Sequence, residues 1–270
     1  MDYRSIILTK EDGVATIQMN SPKTMNALDD TISAELTHAY HEVADDREVG
    51  AVILTGADRA FCAGGDLKKL ERGFACPEDG QAYMASFRDM VLTFMNMPKP
   101  TIAAVNGFAV GAGFCIAMQA DLILASEKAK FGMAFVNVGL IPDLAGLYTL
   151  PRLIGLQRAK ELVYTGRVID VQEAREMGIV NHIVPHGELL EQAKALAQQL
   201  ANGPRATLRR DKALINASIN LTLEQVLEQE AQAQALSFLG SDHKIGVEAF
   251  FSKKSPVFQN GAGALTRNQQ

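Results

Sequence analysis

Three short segments hold residues whose types and spacing could do chemistry. The first is Phe61-Cys62-Ala63-Gly64-Gly65-Asp66-Leu67. Its paired glycines permit a tight turn and close approach of a ligand to main-chain N–H groups, and Asp66 suits the N-cap of a helix opening at Leu67. Read alone, it serves equally well as a purely structural turn. The second runs from Thr101 through Asn106-Gly107 to Gly111-Ala112-Gly113 and into the apolar run 114–118. A helix starting there would offer unpaired N–H groups and partial positive charge to a developing oxyanion; glycine for close helix packing is the competing reading. The third is Gly139-Leu140-Ile141-Pro142-Asp143, with a helix able to start at Leu144. Asp143 is then either a helix cap or a carboxylate facing an apolar pocket of Phe135, Val138, Leu140 and Leu144. Burial in such a pocket would raise its pKa, as a base that becomes an acid near neutrality requires.

Other candidates carry less. His38 and His41 lack the glutamate and spacing of a zinc helix, and Pro185 breaks the pair His182 and His186, so no metal site is expected. Gly111-Ala112-Gly113 lacks the third glycine of a dinucleotide fingerprint, and no P-loop lysine follows. No serine sits at an elbow turn. Cys115 reads either as a small core residue or as a nucleophile activated at a helix start. Tyr148 either lines a pocket or simply packs.

The elements that must position these groups follow from hydrophobic periodicity. Residues 14–19 alternate as a strand. Residues 51–54, 102–105, 122–124 and 179–184 form short apolar runs, as strands covered on both faces do. Helical patterns over 28–43 and 82–97 lie between them, so the strands should pair largely in parallel through right-handed crossovers. After Pro185 apolar residues recur at helical spacing: Leu189, Ala193, Leu196, Ala197 and Leu200, then Leu223, Val226 and Leu227. The expected organisation is an α/β core over 1–200 carrying the site, then a helical region over 201–270 whose apolar faces need the core or a neighbouring subunit to cover them.

The whole chain has 270 residues, 47% hydrophobic and 21% charged, an ordinary globular balance. Its net charge of -5 and merely paired basic residues disfavour a nucleic-acid surface. Three cysteines without CxxC spacing suggest neither a disulfide framework nor zinc. No secretion signal opens the chain, and the apolar stretch 101–124 carries Asn106, Gln119 and Asp121, so no membrane association is expected. A cytoplasmic protein is the default.

Taken together and in order, the segments resemble the crotonase family, the enoyl-CoA hydratase/isomerase superfamily. Asn20-Ser-Pro-Lys-Thr-Met-Asn26-Ala-Leu28, Phe61 to Leu67, Lys99-Pro-Thr-Ile-Ala-Ala-Val-Asn-Gly107, Leu150-Pro-Arg-Leu-Ile-Gly155 and Ala249-Phe-Phe-Ser-Lys-Lys-Ser-Pro256 all match its signatures. The resemblance implies an α/β spiral of β-β-α units with a helical C-terminal trimerisation region, assembled as a homotrimer or dimer of trimers. It implies an acyl-CoA substrate, with coenzyme A part of that substrate and no separate cofactor. The thioester oxygen would sit between the backbone N–H groups of Ala63 and Ala112. Contacts with the CoA ester are implied at Lys23, Ala60, Phe61, Gly64, Gly65, Asp66, Leu67, Phe135 and Leu140.

One departure bears on the reaction. At the positions where hydratases of the family carry two glutamates, this chain has Cys115 and Phe135, and neither can activate water as a carboxylate. Asp143 is left, at a position where several isomerases of the family carry aspartate. The stretch 130–143 looks most like the phenylacetate-pathway isomerase branch. The resemblance therefore implies a double-bond isomerase with Asp143 as acid and base. A hydratase or other lyase, with Asp143 alone or aided from residues 68–80, and a non-catalytic acyl-CoA binder are the alternatives. Phe114, Ile116, Phe135 and residues 74–84 suggest an apolar acyl group.

Overall fold

The structure is a computed structural model that describes residues 2–71 and 73–258. The chain opens on an antiparallel hairpin, β1 (Ile6–Glu11) and β2 (Val14–Met19), turned by Asp12 and Gly13, both left-handed. Helix α1 (Asp30–Asp45) follows, with the Asp29 carboxylate accepting from Ile32 N–H at 2.8 Å as its cap. Its buried face, Ile32, Leu36, Ala39, Tyr40 and Val43, repeats at helical spacing.

The chain then winds as a spiral. β3 (Ala51–Gly56) and β4 (Ala60–Cys62) are followed by α2 (Leu67–Glu71), α3 (Pro77–Ser86) and α4 (Arg88–Met95). β5 (Thr101–Val105) and β6 (Phe108–Val110) lead into α5 (Ala112–Ala117). β7 (Leu122–Ser126) and β8 (Lys130–Gly132) lead, through a 3-10 turn at Ala134–Val138, into α6 (Gly146–Ile154) and α7 (Leu156–Thr165). Each turn gives its first strand to one sheet, ordered β1-β2-β3-β5-β7-β10, and its second to another, ordered β4-β6-β8-β9. Successive turns stack with parallel pairing, β3 on β5 on β7 and β4 on β6 on β8. Here β9 is Val168–Asp170, followed by α8 (Val171–Glu176), and β10 is His182–Val184.

Most expected strands form, with differences at the margins. Only the end of 179–184 is extended, while Ile179 and Val180 are buried in a turn closed by bonds to Ala174 O. The helical pattern 82–97 breaks at Phe87. There the chain passes from exposed α3, with no buried residue, to α4, which buries Met90, Val91 and Phe94.

One apolar core lies between the sheets and α1, α4 and α5; a second lies under α9 (Leu189–Ala201), which covers the outer face of β2, β3, β5 and β7. Beyond it run α10 (Arg205–Ser218), α11 (Leu223–Phe238) and α12 (Ser241–Phe251), none of which contains a buried residue. The remainder of the 201–270 region, residues 259–270, lies outside the described residues. No helix among the described residues is long and apolar enough to cross a membrane.

Candidate active site

Two asparagines set the first loop. Asn26 is fully buried and left-handed; its Nδ2 donates to Ala57 O (3.0 Å) and Ala60 O (2.8 Å), and its Oδ1 accepts from Ser21 N–H (2.8 Å). Asn106 Nδ2 donates to Asp58 O (2.8 Å) and Ala60 O (3.2 Å). The turn before β4 is thereby tied to both neighbouring motifs. Sequence reasoning reads Asn106-Gly107 as part of the second segment and Asn26 only as a signature letter.

After β4, residues 63–66 run beside residues 25–28. Ala63 N–H donates to Met25 O (3.0 Å), Leu28 N–H to Gly64 O (2.7 Å), and Asp66 N–H to Leu28 O (3.1 Å). Ala63 N–H is therefore occupied within the protein, which corrects its expected role as an oxyanion donor. Leu28 bridges Gly65 in parallel. In such a pair the flanking residues bond the partner and the bridged residue's own N–H faces away. Gly65 N–H has no acceptor among the described residues, so the free donor stands two residues later than expected.

The second loop meets the first at its glycines. Gly64 has φ +116°, and a Cβ on it would lie 3.2 Å from Val110 O. A Cβ on Gly111 would lie 3.8 Å from Gly64 Cα, and one on Gly113 would strike Cys62 O at 2.0 Å. Helix α5 can thus begin against β4 only because Gly113 has no side chain, while Gly64 and Gly111 supply positive φ. Gly111 accepts from Phe114 and Cys115 N–H, while Ala112 N–H, at the helix start, has no acceptor among the described residues. The resemblance implies this N–H as an oxyanion donor, and no protein acceptor among the described residues competes for it.

Asp143 sits half-buried at the start of a tight turn in which Gly146 N–H returns to Asp143 O at 2.7 Å. The central residues Leu144 (φ +45°) and Ala145 (φ +66°) are both left-handed without being glycine or asparagine. Such backbone costs on the order of 1–3 kcal/mol per residue and persists where surrounding structure enforces it. Asp143 Oδ1 is buried with no hydrogen-bond partner among the described residues. Desolvation pushes its carboxyl pKa up to about 6, against a smaller lowering by a backbone hydrogen bond. Its charge is felt by Cys115 on α5 and by Tyr83 on α3, whose ionisation it disfavours.

Cys115 is fully buried, with Sγ 3.9 Å from Met133 Sδ, and burial followed by the charge of Asp143 drives its pKa well upward. A thiolate is disfavoured there, so the core reading holds over the nucleophile. Phe135 is buried, and its ring lies 3.9 Å from the position a Gly111 Cβ would take, filling space at the loop. Leu144 is buried, whereas Val138 and Leu140 are exposed at 55% and 45%, so only part of the expected apolar wall is enclosed in this chain. Phe114 and Ile116 are fully buried core residues and do not line an acyl pocket. Ala60 and Phe61 are likewise inaccessible, Phe61 within the main core, which corrects their expected contact with the CoA ester. Lys23 and Leu67 are exposed and Gly65 and Asp66 partly so, open to a ligand on that side. Gly64 is buried between the loops. Tyr148 is part-exposed under the Arg152 guanidinium, 3.6 Å from its ring centroid. Of residues 68–80, Arg72 lies outside the described residues. No group of three His, Cys, Asp or Glu among the described residues could hold a metal ion.

Comparison with known proteins places this geometry. The family model "Enoyl-CoA hydratase/isomerase" matches residues 9–261. The 1,2-epoxyphenylacetyl-CoA isomerase of Escherichia coli is 36% identical, covering 92% of this chain and 95% of that protein. The crotonyl-CoA hydratase of Syntrophomonas wolfei is 37% identical, covering 96% and 99%. An enoyl-CoA hydratase subunit structure from Geobacillus kaustophilus superposes with a TM-score of 0.91 at 34% identity, covering 97% of this chain and all of that one. A match over nearly the whole length, in sequence and in the two-sheet spiral alike, means that the chain belongs to the enoyl-CoA hydratase/isomerase family of the crotonase superfamily.

Proposed function

We propose that the protein shifts a carbon–carbon double bond within the acyl group of a CoA thioester, with Asp143 as the single proton carrier. The observation that carries this reading is the Asp143 carboxyl: half-buried, its Oδ1 unpaired, its pKa near 6. Cys115 and Phe135, neither able to activate water as a carboxylate, hold the positions of the hydratase glutamates. In a 3-enoyl thioester, the Asp143 carboxylate takes a proton from C2. The C–H electron pair spreads into a dienolate whose charge rests on the thioester oxygen. Gly65 and Ala112 N–H donate to that oxygen, each worth about 3 kcal/mol in a water-excluded site. The protonated carboxyl then returns the proton to C4, leaving the 2-enoyl thioester. Proton and electrons balance within the substrate, so the scheme calls for no cofactor beyond its CoA. Lys23, Gly64, Gly65, Asp66, Leu67, Phe135 and Leu140 are the proposed surroundings of the CoA ester.

Rates of wild type and Asp143→Asn on 3-enoyl-CoA and dienoyl-CoA thioesters test the reading. A loss of about 10²- to 10⁴-fold is expected, the usual worth of a positioned acid–base group; equal rates would sink it. The relatives named as hydratases favour a second reading, addition of water to 2-enoyl-CoA, seen as loss of ultraviolet absorbance. Hydration outpacing isomerisation would replace the first reading with the second. Tight thioester binding without turnover on either substrate set would leave a binding protein.

The proposed assembly is a homotrimer or dimer of trimers through the apolar faces of α10 to α12. A cytoplasmic setting suits the three free cysteines.

A further inference from the structure

Gln119 is a polar residue deep in the core, 4% exposed, just past the end of α5, with its N–H still bonded to Ile116 O at 3.1 Å. Its side-chain Nε2 donates to Leu144 O at 2.9 Å, while its Oε1 has no partner among the described residues. A buried amide with half its capacity unused is costly in an apolar core, and nothing in the helix itself needs it. The bond it does make falls on the left-handed pair Leu144 and Ala145, directly behind Asp143. Turns with both central residues left-handed are normally built from Gly, Asn or Asp, so this one must be held from outside. On the far side α6 holds it: Tyr148 and Thr149 N–H both donate to Ala145 O, at 2.9 and 2.8 Å. The Thr149 hydroxyl adds a third bond to Ala145 O at 3.0 Å, and on the near side the Gln119 amide holds Leu144 O.

We infer that Gln119 is a positioning residue, its amide locking the strained turn so that the Asp143 carboxylate stays at a fixed place relative to the main-chain donor at Ala112. Ala112 opens α5 and Gln119 follows its last turn, so one short rigid element carries the donor at one end and the clamp at the other. Without the clamp the turn relaxes toward right-handed backbone and the carboxylate swings out of its apolar surroundings toward water.

The inference rests on the Asp143 reading, and the experiment separates the two. Wild type, Asp143→Asn, Gln119→Leu, Gln119→Met and the double variant Asp143→Asn/Gln119→Leu are assayed on 3-enoyl-CoA across pH. Gln119→Leu is expected to lower kcat by about tenfold to hundredfold, as a misplacement near 1 Å does, with KM within about threefold. The acid limb of its rate profile should move to lower pH as Asp143 gains water, and the second substitution should add nothing to the residual rate of Asp143→Asn. A crystal structure of Gln119→Leu, which needs no substrate, should show Leu144 and Ala145 out of the left-handed region. A fully active Asp143→Asn would overturn the Asp143 reading. With Asp143→Asn slowed as expected, any of three results would overturn the inference alone: an unchanged turn, an unchanged acid limb, or equal losses in both backgrounds. Failure of both Gln119 variants to fold would assign the residue to folding and overturn it as well.

Discussion

A carboxyl held near pKa 6 in the folded chain, against 3.8 ordinarily, ties activity and stability to the same proton. As a base, Asp143 must be ionised, so kcat/KM is expected to fall as pH drops through about 6, read from a pH–rate profile. For stability the sign runs the other way. Between 3.8 and about 6 the folded state holds a proton that the unfolded chain has released. The contribution of this one group to stability is therefore full below that window and is lost as pH rises through it. An asparagine side chain at this position carries no charge to desolvate. Asp143→Asn is expected to be inactive yet more stable than wild type at pH 8, by about 1–3 kcal/mol after allowance for partial exposure. That gain should vanish near pH 4, and denaturant midpoints at the two pH values measure it. At this scale the sequence is only partly legible. The Pro-Asp turn and the glycine pairs are visible as local letters. Which N–H stays free, Ala63 or Gly65, depends on a bridge to Leu28, and which core amide grips the Asp143 turn depends on a contact 25 residues away; neither leaves a local signal.

Helix α5 explains the small residues around it. A Cβ on Gly146 would stand 2.5 Å from Cys115 Sγ and 3.4 Å from Pro142 Cβ, so α6 can begin against α5 only with glycine there. Gly146→Ala is expected to cost about 1–3 kcal/mol through overpacking. Cys115→Ala should return much of that loss in the double variant, since the clash is with one side-chain sulfur, and a double-mutant cycle on unfolding free energies measures the coupling. The Cβ of Gly113→Ala meets backbone, Cys62 O, so no side-chain truncation should rescue it; a rescue by Cys62→Ala would contradict this packing. Elements are legible where periodicity has length to show itself. Helix α1 and the central strands of the larger sheet follow their hydrophobic patterns. The smaller sheet consists of three-residue strands, too short to alternate, and β1 leaves no pattern because most of its residues lie open. Those strands form because the spiral presents a partner edge at each turn.

At the scale of the whole molecule, the helical region has faces that no described residue covers. Leu239, Phe250 and Phe251 are exposed at 82%, 78% and 79%, with Ile215, Leu223, Leu227, Leu236 and Phe238 all above half. Scattered exposed leucines would need no explanation, but a run of such residues along consecutive helices marks an interaction surface. Further copies of the same chain are the proposed cover, and burying these faces would also set the C-terminal helices around the spiral. Folding and assembly are then linked by mass action, and the unfolding temperature should rise with protein concentration. Leu236→Asp/Phe250→Asp puts two charges on positions open to water in the single chain, where they cost little, but within the proposed interface, where unpaired charge costs several kcal/mol. Sedimentation equilibrium should show wild type as trimers or hexamers and the double variant as monomers whose unfolding temperature no longer depends on concentration. A monomeric wild type with a concentration-independent transition would reject self-assembly, and the apolar faces would then need a different partner.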